Sequence, residues 1–152
     1  FSFYRLQNLF KKNFSIGGLV KFHTQQKYLL LAHSRKHYDL LGQLVAKPKS
    51  LKIEQLKDRY GKTFMEALAF KATPKKNTDV LLHMMGFLKK TLSKGEKEEI
   101  LSTIEDYRKE LLPLVVPITL IYHQVIKYNV EYLKNQVYLK PHPKELMLRN
   151  HV

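Results

Sequence analysis

Apolar residues recur at spacings of three and four along almost the whole chain, and no alternating run is bounded by hairpin turns. That pattern specifies helices and no sheet. It is strongest from Phe22 to Ala46. At 3.6 residues per turn, Phe22, Gln26, Leu29 and His33 stack on one face with Leu19 and Leu30 beside them, while His23, Lys27 and Ser34 form an adjoining polar stripe. The expected fold is all-α: one bundle of seven or eight helices over residues 1–152, closed by an irregular proline-containing tail.

The helices are expected near 2–13, 18–33, 35–47, 51–71, 75–92, 94–112, 116–128 and 131–138. Gly17 and Gly18 are read as separating the first two, Ser34 as the cap between the second and third, and Pro48 as the end of the third. Pro74 suits the first helical position after Thr73. Ser93 and Glu96 have the S-x-x-E spacing of a capping box, each side chain satisfying a backbone N–H that the helix leaves open. Pro141 and Pro143 exclude regular helix at the end, leaving a packed tail with one turn near 144–147.

Charge points to a partner. The 152 residues hold 27 Lys and Arg against 13 Asp and Glu, a net charge of +14. Residues 1–50 carry nine of those cations and a single acid, Asp39. A basic pole of this kind suits a polyanion, with nucleic acid foremost. Lys21, Lys27, Arg35 and Lys36 are the expected phosphate contacts, and His23, Ser34 and His83 are placed to hydrogen-bond a sugar or base. Arg35, Lys36 and His37 also sit between Tyr28 and Tyr38, where an exposed ring could stack an unpaired base.

Several chemistries are excluded or weakened. The chain has no cysteine, so it offers no thiolate, disulfide or sulfur-ligated metal. His33 and His37 have the i, i+4 spacing of a shared ion, but Ser34 interrupts the helix and no further ligand set is visible, so no metal or other cofactor is expected in this chain. Phosphate-binding glycine loops and a nucleophile elbow are absent. The longest apolar run, Leu111 to Tyr122, contains two prolines and is too short to span a bilayer. A cytoplasmic location and no membrane partner are expected.

On the fifth helix Asp79, His83, Gly86 and Lys90 line one stripe, and Val80, Leu81, Met84, Phe87 and Leu88 are expected to cover the opposite, apolar side. A glycine inside a helix costs about 1 kcal/mol relative to alanine. Gly86 is therefore read as a place where a second helix, or else a ligand, approaches the backbone. The seventh helix is expected to set Thr119, His123 and Lys127 against Ile118, Ile121, Tyr122, Val125 and Ile126. His33, on an apolar face, is read as a core histidine bonded to a backbone carbonyl. Two rival functions stay open: an enzyme in which His33, His83 and His123 converge on a nucleobase or nucleotide, and a module that docks a separate desulfidase or DNA-repair enzyme through an apolar patch.

Four ordered blocks, FHTQQKYLLLAHS with YDLLGQLVA, NTDVLLHMMGFLKK, PLVVPITLIYH and YLKNQVYLKPHPKELMLRN, resemble the YbgA-like domain family over nearly the whole chain. That domain is found alone or fused behind a TudS-like thiouracil desulfidase domain, whose cysteines hold an iron–sulfur cluster. The resemblance implies an RNA-binding accessory role, with tRNA as partner, in removing sulfur from 4-thiouridine. The cluster would belong to the fused or partner desulfidase. Carried over by motif, the implied site positions are His23, Lys27, Tyr28, His33 and Ser34, then Asn77, Thr78 and His83, then Arg149 and Asn150. Asp79 departs from the amide expected at its position, and a carboxylate there would repel a phosphate. His37 lies outside the motif.

Overall fold

The computed structural model describes residues 2–141. Among them the chain forms α1 (Ser2–Lys11), α2 (Ile16–His33), α3 (Arg35–Ala46), α4 (Ile53–Ala69), α5 (Pro74–Leu88), α6 (Lys94–Arg108), α7 (Val115–Lys127) and α8 (Glu131–Lys134). Short 3-10 turns follow α3 at Pro48–Ser50 and α8 at Val137–Leu139. No strand occurs among the described residues, and the all-α expectation holds. The chain divides into two compact units, Phe1–Lys71 and Ala72–Val152.

Most helix ends follow the capping chemistry in the sequence. Ser34 accepts the His37 N–H and starts α3, Thr73 accepts from Lys76 ahead of Pro74, and Ser93 and Glu96 form the reciprocal box that opens α6. The glycine pair is a correction. Gly17 and Gly18 lie inside the first turn of α2, and the break falls earlier, at Asn13 (φ 43°) and the N-cap Ser15. Gly18 donates its N–H to Ser15 Oγ at 3.0 Å. A Cβ on Gly18 would stand 3.0 Å from that oxygen and 3.2 Å from Leu9 Cδ1, so glycine here lets α1 and α2 approach. The last expected helix is also shorter: α8 stops at Lys134, and Val137–Leu139 is a separate 3-10 turn.

In the first unit α2 packs against α1, α3 and α4. Leu6, Leu19, Phe22, Leu30, Leu41, Leu56, Tyr60, Phe64 and Ala67 form its core. Fully burying one such leucine or phenylalanine is worth about 1.5–3 kcal/mol, so this cluster dominates the unit's stability. With neighbours on three sides, α2 buries more than one stripe: His23, Gln26, Tyr28 and Ala32 are inside along with Leu19, Phe22, Leu29 and Leu30. In the second unit α5, α6 and α7 pack on one another and bury Val80, Leu81, Met84, Ile100, Ile104, Ile118, Ile121 and Val125.

Polar networks fix the second unit's internal geometry. Asn77 donates to the Tyr107 hydroxyl at 3.2 Å and accepts from the Tyr138 hydroxyl at 2.7 Å, joining α5, α6 and the last 3-10 turn. Glu96 accepts from the Tyr128 hydroxyl, the Ser93 N–H and the Lys127 ammonium. Those bonds, the tyrosine's foremost, hold its carboxyl down to about 2.

Candidate nucleic-acid interface

The sequence-predicted site residues separate into buried and exposed sets. His23 is a correction in position: it lies inside the first unit, with Nδ1 3.0 Å from the Tyr60 hydroxyl and its ring stacked on Tyr38 at 5.1 Å. Burial lowers its pKa to about 4, so the imidazole is neutral at pH 7. Burial, with Tyr38 nearby, also pushes the Tyr60 hydroxyl upward. Tyr28 is fully buried. Ser34 is buried as well, its Oγ committed to the α3 cap and standing 2.7 Å from His37 Nδ1.

His37 Nε2 lies 3.7 Å from Glu66, so hydroxyl, imidazole and carboxylate fall in line. The buried, capping serine makes that line a structural tie between α3 and α4 rather than a nucleophile. Asn77 and Thr78 are inside the second unit, the first in the tyrosine network and the second bonded to the Pro74 carbonyl at 2.7 Å. These buried groups organise the helices and do not face solvent as a base-reading edge.

The histidines proposed for an enzyme are divided between the units. His33 donates Nδ1–H to the Phe70 carbonyl at 2.7 Å, the backbone bond expected of it, and so closes the end of α4, although the side chain is half-buried and not in the core. His83 on α5 and His123 on α7 are exposed. None of the three lines the α3–α4 cleft or the α1–α4 cleft of the first unit. Helix packing at Gly86 is a correction: beyond its chain neighbours and its own helix backbone, nothing described would lie within 4 Å of a Cβ there, and Phe87 and Ile126, expected on the apolar sides of their helices, are exposed. Among the described residues no group of three His, Cys, Asp or Glu gathers as a metal site. Arg149 and Asn150, with the expected tail turn, lie outside the described residues.

What remains at the surface is basic. Lys21 on α2 and Arg35 and Lys36 on α3 are exposed, while Lys27 is half-buried with Nζ 5.4 Å from the Tyr28 ring centre. Lys90, just beyond α5, is exposed too. Arg35 and Lys36 open α3, whose first turn contains no acid. Two cations at the positive end of a helix dipole are unfavourable, about 0.3–1 kcal/mol each, until an anion offsets them.

The concave part of this surface is lined by cations that are not among the expected phosphate contacts. Leu40, Gln43, Leu44 and Lys47 from α3, Ser50 and Leu51 from the turn, and Arg59, Lys62 and Thr63 from α4 line a cleft of about 390 Å³. No carboxylate among the described residues lines it. Lys47, Arg59 and Lys62 are exposed and form no ion pair among the described residues. Its signal in the sequence was the pair Arg59 and Lys62, three apart on one face of a helix, with Lys47 returned toward them by the Pro48 turn. The whole first unit is polarised in the same sense: residues 1–71 hold fourteen of the 27 cations and four of the 13 acids.

No helix among the described residues is long and apolar enough to cross a membrane. The chain is 27% identical over 151 residues to "Uncharacterized protein YbgA" of Escherichia coli (strain K12), a match covering 99% of this chain and 89% of that protein. No solved structure matches it. A family model matches residues 27–143, from the middle of α2 to past the last 3-10 turn, and the chain thus belongs to the family described as "Protein of unknown function (DUF1722)".

Proposed function

We propose that this chain binds RNA, with tRNA as the favoured partner, and serves as an accessory to a desulfidase acting on 4-thiouridine. The observation that carries the reading is the α3–α4 cleft, whose three cations meet no carboxylate among the described residues. Lys47, Arg59 and Lys62 along it, with Arg35 and Lys36 at the start of α3, would neutralise successive phosphates. Ser50, Gln43 and Thr63 supply neutral hydrogen-bonding groups in the same cleft. Such contacts fix position on a backbone and carry no sequence information, which suits an accessory that presents RNA to a separate catalyst. The link to sulfur removal rests on the family resemblance, and the chemistry itself would come from a partner, because this chain has no cysteine.

The test is a titration of labelled tRNA at several salt concentrations. The wild-type chain is expected to bind with affinity that falls steeply as salt rises. Replacing Lys47, Arg59 and Lys62 by alanine should weaken binding and reduce the slope of log affinity against log salt by about 2–3, roughly one for each lost phosphate contact. Unchanged affinity and slope would overturn the assignment. Adding the chain to a TudS-like desulfidase should speed its turnover on thiolated tRNA, and the triple variant should not.

A further inference from the structure

The exposed side of α5 carries a feature that the fold leaves unexplained. Phe87 on α5 and Tyr132 on α8 are each 43% exposed, and their ring centres lie 4.5 Å apart at 32°. His83, one turn earlier, stands edge-on to Phe87 at 5.8 Å. Gly86 lies next to Phe87 with open space where its Cβ would be. An exposed glycine in a helix interior weakens the helix, and nothing in the described fold requires it. The Phe87 and Tyr132 rings make an accessible ledge against which a planar group can lie, and the bare backbone one residue before Phe87 leaves open space on that helix.

Charge selects the occupant. Lys89 and Lys90 follow Phe87, exposed and without an ion pair among the described residues. Asp79 lies on the same stripe but two turns back, and Glu131, next to Tyr132, has Lys134 at 3.8 Å. Aromatic faces with unopposed cations alongside match a base with its flanking phosphates better than an apolar protein side chain.

We infer that the His83, Phe87 and Tyr132 ledge stacks an unpaired nucleobase of the bound RNA, with Lys89 and Lys90 meeting the adjoining phosphates. This inference rests on the RNA-binding reading and adds a preference for single-stranded segments. Stacking is sequence-tolerant because every base presents a π face, so the ledge selects unpaired RNA over duplex without selecting a sequence.

The experiment uses a short single-stranded RNA containing 2-aminopurine, whose fluorescence is quenched on stacking, with a duplex RNA as control. The wild-type chain should quench it. The variant Phe87→Leu with Tyr132→Leu keeps apolar bulk but lacks the rings. It should lose most of the quenching and bind the single strand about tenfold more weakly, with duplex binding and its salt slope unchanged. Gly86→Leu should do the same by covering the ledge, and its circular dichroism should stay helical.

If both variants quench and bind as the wild type does, the ledge is overturned while RNA binding stands. If the wild-type chain binds neither this RNA nor tRNA, the RNA reading falls and takes the ledge with it. Altered self-association on sedimentation, with quenching unchanged, would overturn it in favour of a contact between copies.

Discussion

His23 Nδ1 and the Tyr60 hydroxyl stand 3.0 Å apart inside the first unit, and the imidazole is sandwiched against Tyr38 by a nearly parallel stack, 4° between planes. The histidine is therefore held neutral by its surroundings, with its pKa lowered by burial from 6.5 to about 4.

Acid should loosen this unit through His23. Because the folded pKa is depressed, the unfolded chain binds more protons between pH 6.5 and 4. Stability is full above that window and falls as pH falls through it. The expected loss is about 2 kcal/mol at pH 5 and about 3 kcal/mol at pH 4, an order-of-magnitude value from the shift. Urea midpoints measured from pH 7 to pH 4 check it. His23→Phe should flatten the dependence, and an unchanged slope in that variant would contradict the assignment.

Asn77 gives a prediction that separates architecture from recognition. Both ends of its amide are engaged by tyrosines inside the second unit. Asn77→Ala should lower stability by about 2–4 kcal/mol through two lost buried hydrogen bonds. Its folded fraction should bind tRNA as the wild type does. A fall in affinity with the melting temperature preserved would place Asn77 at the RNA instead.

Gly86 and Glu110 are expected to respond to opposite substitutions. Gly86→Ala fills open space in α5 and should stabilise by up to about 1 kcal/mol, raising the melting temperature by roughly 2–4 °C. Glu110 ends α6 in the left-handed region at φ 62°, with Leu111 N–H bonded back to the Asp106 carbonyl. Glu110→Gly should relieve roughly 1 kcal/mol of that strain. Glu110→Val should do the reverse. Thermal melts of the three variants decide both points.

Helix existence was legible because three-and-four spacing persists through Phe22–Ala46 and the caps at Ser34, Thr73 and Ser93 are local chemistry. The bond of His33 to a backbone carbonyl is legible for a similar reason, as a polar group at the edge of a largely apolar face, whereas its partial exposure is not. The burial of His23 is not legible because a wheel shows one helix at a time. It cannot show that α1, α3 and α4 surround α2 on several sides, although the unbroken run Tyr28–Ala32 was a sign of all-round burial. The α3–α4 cleft was missed for the complementary reason: Lys47 and Arg59 are twelve residues apart, and only the turn at Pro48–Ser50 makes them neighbours of one concavity.

Ser34 serves two helices at once, its N–H closing α2 on the Leu30 carbonyl and its Oγ opening α3. A single-residue corner brings α2 and α3 together through short-range contacts, whereas α1 meets α4 only after some forty residues of chain have been drawn in. The first unit should therefore fold from this corner outward. Ser34→Ala should slow refolding in stopped-flow measurements in proportion to the stability it loses, while Leu6→Ala, at the seam of α1, should act mainly by speeding unfolding. On that account α1 is the part of the unit that detaches first and rejoins last.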